Sequence, residues 1–183
     1  MNWAHLIETH YRQVWRVEGQ RHSFTKGPID DLPSDFCVLA YPPHEGRAAW
    51  TYATRCMSQP GDDVALELHI FSPYASEDIV ELLVVTAHYH RTGRRLGLGH
   101  TINFGRPWLP GSHCDHALIS LPYLDGPTLE ILDIGTKTIN CDWLIPVTKS
   151  EVEFKMRHGL EALERRFEEG NLDYSNPSRK PVV

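Results

Sequence analysis

The chain has 183 residues, is 41% hydrophobic and 23% charged, and carries a formal net charge of -6 at pH 7. This length supports one domain with a substantial hydrophobic core. The acidic balance argues against a nucleic-acid partner, because binding to nucleic acid requires a basic surface that displaces counterions. No apolar run approaches the roughly 20 residues of a membrane-spanning helix, and the first residues lack the pattern of a signal peptide. We therefore expect a soluble, cytoplasmic protein with no membrane partner.

In the N-terminal half, helical and strand-like periodicities alternate with turns. The pattern predicts a helix over 3–17, an irregular connection over 20–35, and strands over 36–41, 50–57 and 64–71. Ser76 fits the N-cap of a further helix, which continues to about Thr92. Val80, Val84 and Val85 widen the apolar surface of this helix, so we expect it to be heavily buried.

The C-terminal half begins with short strands and ends with a strand that runs into a helix. The short strands are predicted over 100–104, 117–123 and 129–134, and the organising strand over 139–146. A capping box at Thr148, or at Ser150, starts one helix that continues to Gly170. Its apolar stripe consists of Val152, Met156, Leu160, Leu163 and Phe167. The last residues, 171–183, have little apolar content and are expected to form a tail that is ordered at its start and frays towards its end.

The order of these elements defines the fold class. Strands come in runs and are not each followed by a helix, which favours an α+β fold over a doubly wound one. We predict a mixed or largely antiparallel sheet of about six to seven strands, with three main helices packed on it. No internal repeat or long linker divides the sequence, so we expect a single domain over residues 1–183.

One local cluster contains potential metal ligands, at His113, Cys114, Asp115 and His116. A structural zinc site needs two separated pairs of ligands, and the second pair is missing here. A loop that leads into a strand, with Asp115 or His116 capping backbone groups, explains the same residues. We predict no metal site and no cofactor, and we keep a metal-dependent hydrolase built on His100, His113 and His116 as the alternative.

The sequence shows no pattern typical of nucleophilic catalysis or phosphate transfer. There is no GxSxG elbow, and none of Cys37, Cys56, Cys114 and Cys141 lies in an electropositive motif. The glycine-rich, basic segment 93–99 follows a helix, whereas a phosphate-binding loop precedes one. We therefore predict that the chain is not an enzyme, and that its cysteines are free, buried thiols.

Aromatic side chains beside turns are the remaining signal that could indicate a function. They are Trp50, Tyr52, Tyr74, Trp108 and Tyr123. Aromatic rings near loops are enriched at protein interfaces. Packing at the edge of a core is the commoner explanation, so these rings alone do not define a binding surface.

A series of segments resembles the Suppressor of fused family in its bacterial single-domain form. They are WTYATRCMS at 50–58, LELHI at 66–70, AHY at 87–89, HTINFGRPW at 100–108, HALISLP at 116–122, WLIPVT at 143–148 and GLEAL at 159–163. Together they span most of the chain from about residue 36 onward, and their order and spacing are distinctive. The resemblance implies a domain without a catalytic centre.

The same resemblance implies a function in protein binding. Animal members sequester a transcription factor of Hedgehog signalling by clamping a peptide as an added strand between two domains, and this chain resembles only the N-terminal domain. For bacterial relatives the family implies an immunity role, in which the protein binds and neutralises a polymorphic toxin. An acidic domain suits a basic toxin domain, because complementary charge speeds their encounter.

We therefore predict a non-catalytic protein-binding domain, with an immunity-type protein as the specific hypothesis. A sequestering module and a stand-alone structural module are the other hypotheses, and the sequence does not define the oligomeric state. The predicted partner surface comprises Arg106, Trp108, Asp115 and His116, in or beside a polar, proline-bounded loop between two strands. Strand addition at an exposed sheet edge is one candidate mode. Substitution of Trp108 and Asp115 is expected to weaken binding and to leave thermal stability nearly unchanged.

Overall fold

Eight strands form one sheet, and helices cover both of its faces, in the computed structural model of the chain, which describes residues 2–22 and 27–183. The elements in chain order are α1 (Trp3–Trp15), β1 (Gln20–His22), a 3-10 helix (Pro28–Asp31), β2 (Cys37–Tyr41), β3 (Trp50–Arg55), β4 (Ala65–Ser72), α2 (Glu77–Thr92), β5 (Thr101–Asn103), β6 (His116–Ser120), α3 (Pro127–Glu130), β7 (Ile131–Asp133), β8 (Thr138–Val147), α4 (Lys149–His158) and α5 (Leu160–Glu169). The strand order is β1-β2-β3-β4-β8-β6-β5, and β7 also pairs with β8. The pairing of β4 with β8 is parallel, and the other pairings between these strands are antiparallel.

The predicted α+β class with a largely antiparallel sheet is confirmed. The sheet has more strands than predicted because β1 has three polar residues, which show no apolar alternation. β1 pairs with Val38–Ala40 of β2. The irregular connection predicted over 20–35 is therefore wrong, since it contains β1 and a 3-10 helix. Residues 23–26 of that connection lie outside the described part of the chain.

β4 is buried along its whole length because helices cover both faces of the sheet. Its apolar even-numbered residues, such as Leu68, pack in the core beneath α2. Successive side chains of a strand point to opposite faces, so the odd-numbered residues point the other way. There Phe71 packs in a core with α5, and Glu67 and His69 are fully buried. β4 alternates apolar and polar residues in sequence, yet neither of its faces is exposed to solvent.

The two faces of the sheet have separate cores. On one face, α2 packs Ile79, Leu83 and Ala87 against residues of β2, β3 and β4. On the other face, α1 packs on β2, β3 and the start of β8 through Tyr11 and Trp15, whose ring centroids lie 4.7 Å apart. α5 and the C-terminal segment cover the remaining part of that face. β5 is the last strand at one end of the sheet. Its residue Ile102 packs against the core beneath α2.

The single helix predicted from Thr148 to Gly170 is wrong, because the chain breaks at Gly159. This residue has φ 91° and ψ 169°, a conformation that essentially only glycine adopts. The break divides the predicted apolar stripe between two helices. Met156 in α4 is 78% exposed, whereas Leu163 in α5 is fully buried. The predicted capping box is confirmed at Thr148, whose hydroxyl accepts from the Glu151 N–H.

The segment after α5 packs on the sheet, which confirms the ordered part of the predicted tail and corrects its frayed end, because Val182 is packed as well. Leu172, Tyr174 and Val182 pack against the core that contains α5. Arg179 is 7% exposed and forms an ion pair with Glu151, which is fully buried. The C-terminal segment is thus held by a few apolar contacts and by one buried ion pair.

The four cysteines are buried and form no disulfide, which confirms the prediction for their side chains. Each of the raised cysteine pKa values has burial as its first cause, because an apolar surrounding disfavours the thiolate. Such thiols are poor nucleophiles. Within residues 2–22 and 27–183, no helix combines the length and the hydropathy that crossing a membrane requires.

Candidate protein-binding groove at the edge of the sheet

Trp108 is buried, which corrects the expectation that it contacts a partner. Its side chain is 1% exposed and belongs to the core beneath α2, together with Leu109 and Cys114. Its backbone N–H donates to the Cys114 carbonyl at 3.0 Å, which folds the loop between β5 and β6 back on itself. The ring is therefore part of the packing of this loop and does not face solvent.

The other three predicted residues lie around the same loop, at the surface. The guanidinium of Arg106 pairs with Asp78 at 3.4 Å and with Glu81 at 3.0 Å, both in the first half of α2. Asp115 Oδ1 lies 2.6 Å from His116 Nδ1, and the Asp115 side chain is 44% exposed. These contacts place Arg106 on α2 and the Asp115–His116 pair at the start of β6. Whether they contact a partner stays a prediction.

A groove of about 370 Å³ separates α2 from β5. Its α2 wall includes Val85 and Tyr89, which are 48% and 45% exposed. Its β5 wall includes Ile102 and Phe104, and Arg106 lies at one end. The prediction that α2 is heavily buried is wrong for the side of the helix that faces β5. Val85 is exposed there because β5, with three residues, is too short to cover this side chain. Two large apolar side chains thus remain in contact with water beside an edge strand.

The backbone of β5 leaves hydrogen-bonding groups available at this edge. β6 is the one neighbour that β5 has among the described strands. The Phe104 N–H donates to Asp115 at 2.9 Å, and the His100 carbonyl accepts from Ile119 at 2.9 Å. Because antiparallel strands alternate the direction of their amides, the backbone groups of Thr101 and Asn103 point away from β6. They face the side on which a further strand would pair.

The opposite edge of the sheet is less suited to pairing. β1 there carries Arg21, whose guanidinium donates to both carboxylate oxygens of Glu8 at 3.0 and 3.1 Å. Charged side chains on an edge strand discourage the addition of another strand. β5 has no such ion pair on its three residues, and an apolar groove lies next to it.

His90 anchors the turn that follows α2 at the end of the groove. Its Nδ1 accepts the Leu96 N–H at 3.0 Å, and its side chain is fully buried. Burial, and then the nearby charge of Arg95, lowers the pKa of His90 to about 4. The imidazole is therefore neutral near pH 7, and it fixes the backbone of residues 93–99 as part of the fold.

The histidines of the hydrolase hypothesis do not converge. Among the described residues, which include His100, His113 and His116, no group of three His, Cys, Asp or Glu side chains has metal-binding geometry. A buried pair that sequence reasoning missed is that of His69 and Asp125, whose Nε2 and Oδ2 atoms lie 3.8 Å apart. Burial lowers the pKa of His69 to about 4, and both side chains are closed off from solvent.

An edge strand with available backbone groups and an adjacent apolar groove are the features that strand addition uses. The family model of the Suppressor of fused protein (SUFU) matches residues 33–180 of the chain. The chain therefore belongs to the Suppressor of fused family, and the resemblance noted in the sequence is confirmed.

Solved structures agree with this assignment. A Suppressor of fused homologue from Neisseria gonorrhoeae superimposes with a TM-score of 0.87 at 30% identity, with 99% of this chain and 97% of that chain covered. A chain of the Sufu-Fu complex gives a TM-score of 0.73 at 17% identity, with 98% and 92% covered. Drosophila Suppressor of Fused gives 0.68 at 16% identity, with 96% of this chain and 50% of that chain covered. A comparison with curated proteins found no significant match.

Proposed function

We propose that this chain is a non-catalytic binding protein that captures an extended segment of another protein as an added strand along β5. The observation that carries the proposal is the outward direction of the Thr101 and Asn103 backbone groups beside the apolar groove. In strand addition, main-chain hydrogen bonds supply affinity, and pockets for alternate side chains supply specificity. β5 supplies the first of these requirements and the α2 wall supplies the second.

The groove favours a partner segment with apolar side chains at alternate positions. Residues of an added strand that point towards α2 would contact Val85 and Tyr89, the exposed apolar residues of that wall. Next to the groove, Arg106 is neutralised by Asp78 and Glu81. The net charge of -6 over the whole chain supports a basic partner, because attraction between opposite charges raises the rate of association.

The specific form of this proposal is an immunity-type protein whose partner is a basic toxin domain. The family membership and the acidic charge support this form. A sequestering role towards a non-toxic partner would use the same edge, and the two roles differ in what the partner does when it is free. The Sufu-Fu complex supports the proposal to the extent that a chain of this fold occurs in a complex with another protein.

The proposal is tested by capture of the partner from the native host with immobilised chain and matched variants. Val85→Asp places a charge in the groove, and Thr101→Pro removes an amide that points away from β6. Met156→Asp is the control, because Met156 is 78% exposed on α4 and does not line the groove. We expect the wild type and Met156→Asp to bind one partner equally, and each groove variant to bind it about tenfold or more weakly.

The immunity form has its own readout once the partner is identified. Expression of the partner alone should arrest growth, and co-expression of the wild type or of Met156→Asp should restore it. Val85→Asp should not restore growth at matched levels of folded protein. A partner that does not affect growth would leave the sequestering form. Equal binding by the wild type and both groove variants would exclude β5 as the binding edge.

A further inference from the structure

A second pocket lies on the opposite face of the sheet from the groove. It is formed by the loop after β6, by β8 and by α5, and its volume is about 290 Å³. Tyr123 and Leu124 of the loop are 56% and 48% exposed at its rim. The volume is sufficient for one long side chain.

The inner wall of this pocket is aromatic. Trp143 and Tyr174 both line it, with ring centroids 5.5 Å apart and planes at 84°. Phe71 packs behind them, 5.3 Å from Trp143 and 5.2 Å from Tyr174. Rings in edge-to-face contact hold one another in fixed positions. Tyr174 is kept in place by the C-terminal segment, so the wall is complete because that segment is ordered.

Carboxylates of α5 give the pocket a negative charge. Glu164 and Glu168 line it, and among the described residues that line it none is basic. The Ser120 hydroxyl donates to Glu164 Oε1 at 2.6 Å, which fixes this carboxylate at the pocket. Burial, and then the charge of Glu164, raises the pKa of the Tyr123 hydroxyl. The pocket thus combines aromatic faces with uncompensated negative charge, a pairing that suits a cation.

The same aromatic cluster already contacts one cation from within the protein. The guanidinium carbon of Arg47 lies 4.3 Å from the centroid of the Phe71 ring. Arg47 also pairs with Asp125 at 2.5 Å. An aromatic face and a carboxylate therefore share a basic side chain on one side of the cluster. Trp143, Tyr174 and Glu164 repeat these two elements on the side that is open to solvent.

We propose that this pocket is a second binding site, and that it takes a basic side chain, lysine or arginine, presented by the protein partner. The inference deepens the proposed function and rests on it, since both require a basic protein as the partner. The groove at β5 and the pocket at α5 lie on opposite faces of the sheet. A partner that engages both would wrap around the β5 edge of the sheet, and each contact can be disrupted separately.

A small-molecule titration tests the pocket without the partner. The five tryptophan indole N–H signals of the 15N-labelled chain are followed during addition of N-acetyl-lysine methylamide and N-acetyl-arginine methylamide, with N-acetyl-norleucine methylamide as the neutral probe. We expect the Trp143 signal to move, with the signals of Trp15 and Trp108 unchanged, and a basic probe to bind about tenfold more tightly than the neutral one. A Trp143→Phe variant assigns the signal.

Variants of α5 separate a cation site from a general apolar pocket. Glu164→Gln keeps an acceptor for Ser120 and removes the charge, and Glu168→Gln changes an exposed residue. Glu161→Gln is the matched control, exposed on the same helix and outside the pocket. The double change at 164 and 168 should abolish the preference for basic probes, and the control should keep it. Equal shifts with the neutral probe, or no shift of Trp143 at about 50 mM basic probe, would overturn the pocket proposal while the β5 edge stays testable through Val85→Asp.

Discussion

Arg179 and Glu151 form two parallel hydrogen bonds, Nη1 to Oε1 at 2.8 Å and Nη2 to Oε2 at 2.7 Å, inside the fold. Such a bidentate pair has both charge and directional geometry. The Glu151 carboxylate also accepts from the backbone N–H groups of Thr148 and Val182. One side chain therefore caps the start of α4 and binds the C-terminal segment. Burial acts to raise the pKa of Glu151, but the hydrogen bonds and the positive charge of Arg179 lower it below its usual value.

Loss of this pair should destabilise the fold. In Arg179→Met the Glu151 carboxylate stays buried without its countercharge, and the free energy of unfolding should fall by about 3–5 kcal/mol. Urea unfolding at pH 7 measures the change. Arg157→Met, in an exposed part of α4, is the control and should have little effect. A loss of less than about 1 kcal/mol would mean that the segment is held by its apolar contacts alone.

Substitution of Gly159 tests the break between α4 and α5, because the direction of the change in unfolding free energy differs between a broken and a continuous helix. With φ 91° and ψ 169°, Gly159→Ala should lower the free energy of unfolding by about 1–3 kcal/mol. In one continuous helix the same change would raise it by about 1 kcal/mol. Gly97→Ala is the control, since its added Cβ meets no atom within 4 Å and its φ is outside the left-handed region. Thermal or urea unfolding decides between the two signs.

Substitution of Trp108 is expected to lower the stability of the fold and to have no direct effect on partner contacts. Because the ring is 1% exposed in the core, Trp108→Ala should destabilise the chain by about 3–5 kcal/mol. Its Nε1 has no hydrogen-bond partner in the described chain, so Trp108→Phe loses no hydrogen bond and should be milder. Unfolding free energies of both variants are compared with their partner affinities. Weakened binding by Trp108→Ala at unchanged stability would restore this ring to the interface.

Glu67 should make stability depend on pH in a defined direction. Burial raises its pKa from 4.5 to about 7, although the Thr54 hydroxyl and the Met57 and Ser58 N–H groups donate to it. Between these values the native state binds more protons at Glu67 than the unfolded state does. The contribution of this group is therefore fully present below pH 4.5 and is lost as pH rises through about 7.

The variant Glu67→Gln isolates this contribution, because the other titrating groups are common to both proteins. The difference in unfolding free energy, wild type minus variant, should decrease from pH 5 to pH 7 and then become flat. Urea unfolding at about four pH values measures it. Glu161→Gln, at an exposed position, is the matched substitution at the surface. A difference for Glu67→Gln that increases with pH would show that the group ionises more readily in the native state.

Local patterns were sufficient for β2, β3, β4 and β8 and for the capping of α4, because alternation and the Thr148 box act over a few residues. Long-range contacts account for what they missed. Burial of Glu67 requires helices on both faces of β4, and the ordered tail depends on a pair 28 residues apart in sequence. The exposure of Val85 depends on the shortness of β5, which periodicity within α2 does not contain.

The candidate site was predicted in part. The loop after β5 was correctly placed between two strands, and strand addition was considered without a particular edge. The sequence identified aromatic rings by their position beside turns, and this criterion selected Trp108, which packs inward. Tyr89 was overlooked as a surface residue because it lies within a helix. Tertiary packing decides whether a side chain in a loop points into the core or towards solvent. The position of the residue in the sequence does not determine this.

Hydrogen–deuterium exchange of the complex with the captured partner measures the β5 edge most directly. If the partner adds a strand, exchange at the Thr101 and Asn103 amides should slow by about tenfold or more, and exchange at Gln20–His22 of β1 should not change. The Val85→Asp variant should show no such protection at the same partner concentration. Protection that appears at β1, or a tight complex in which the β5 amides exchange as fast as in the free chain, would contradict capture along β5.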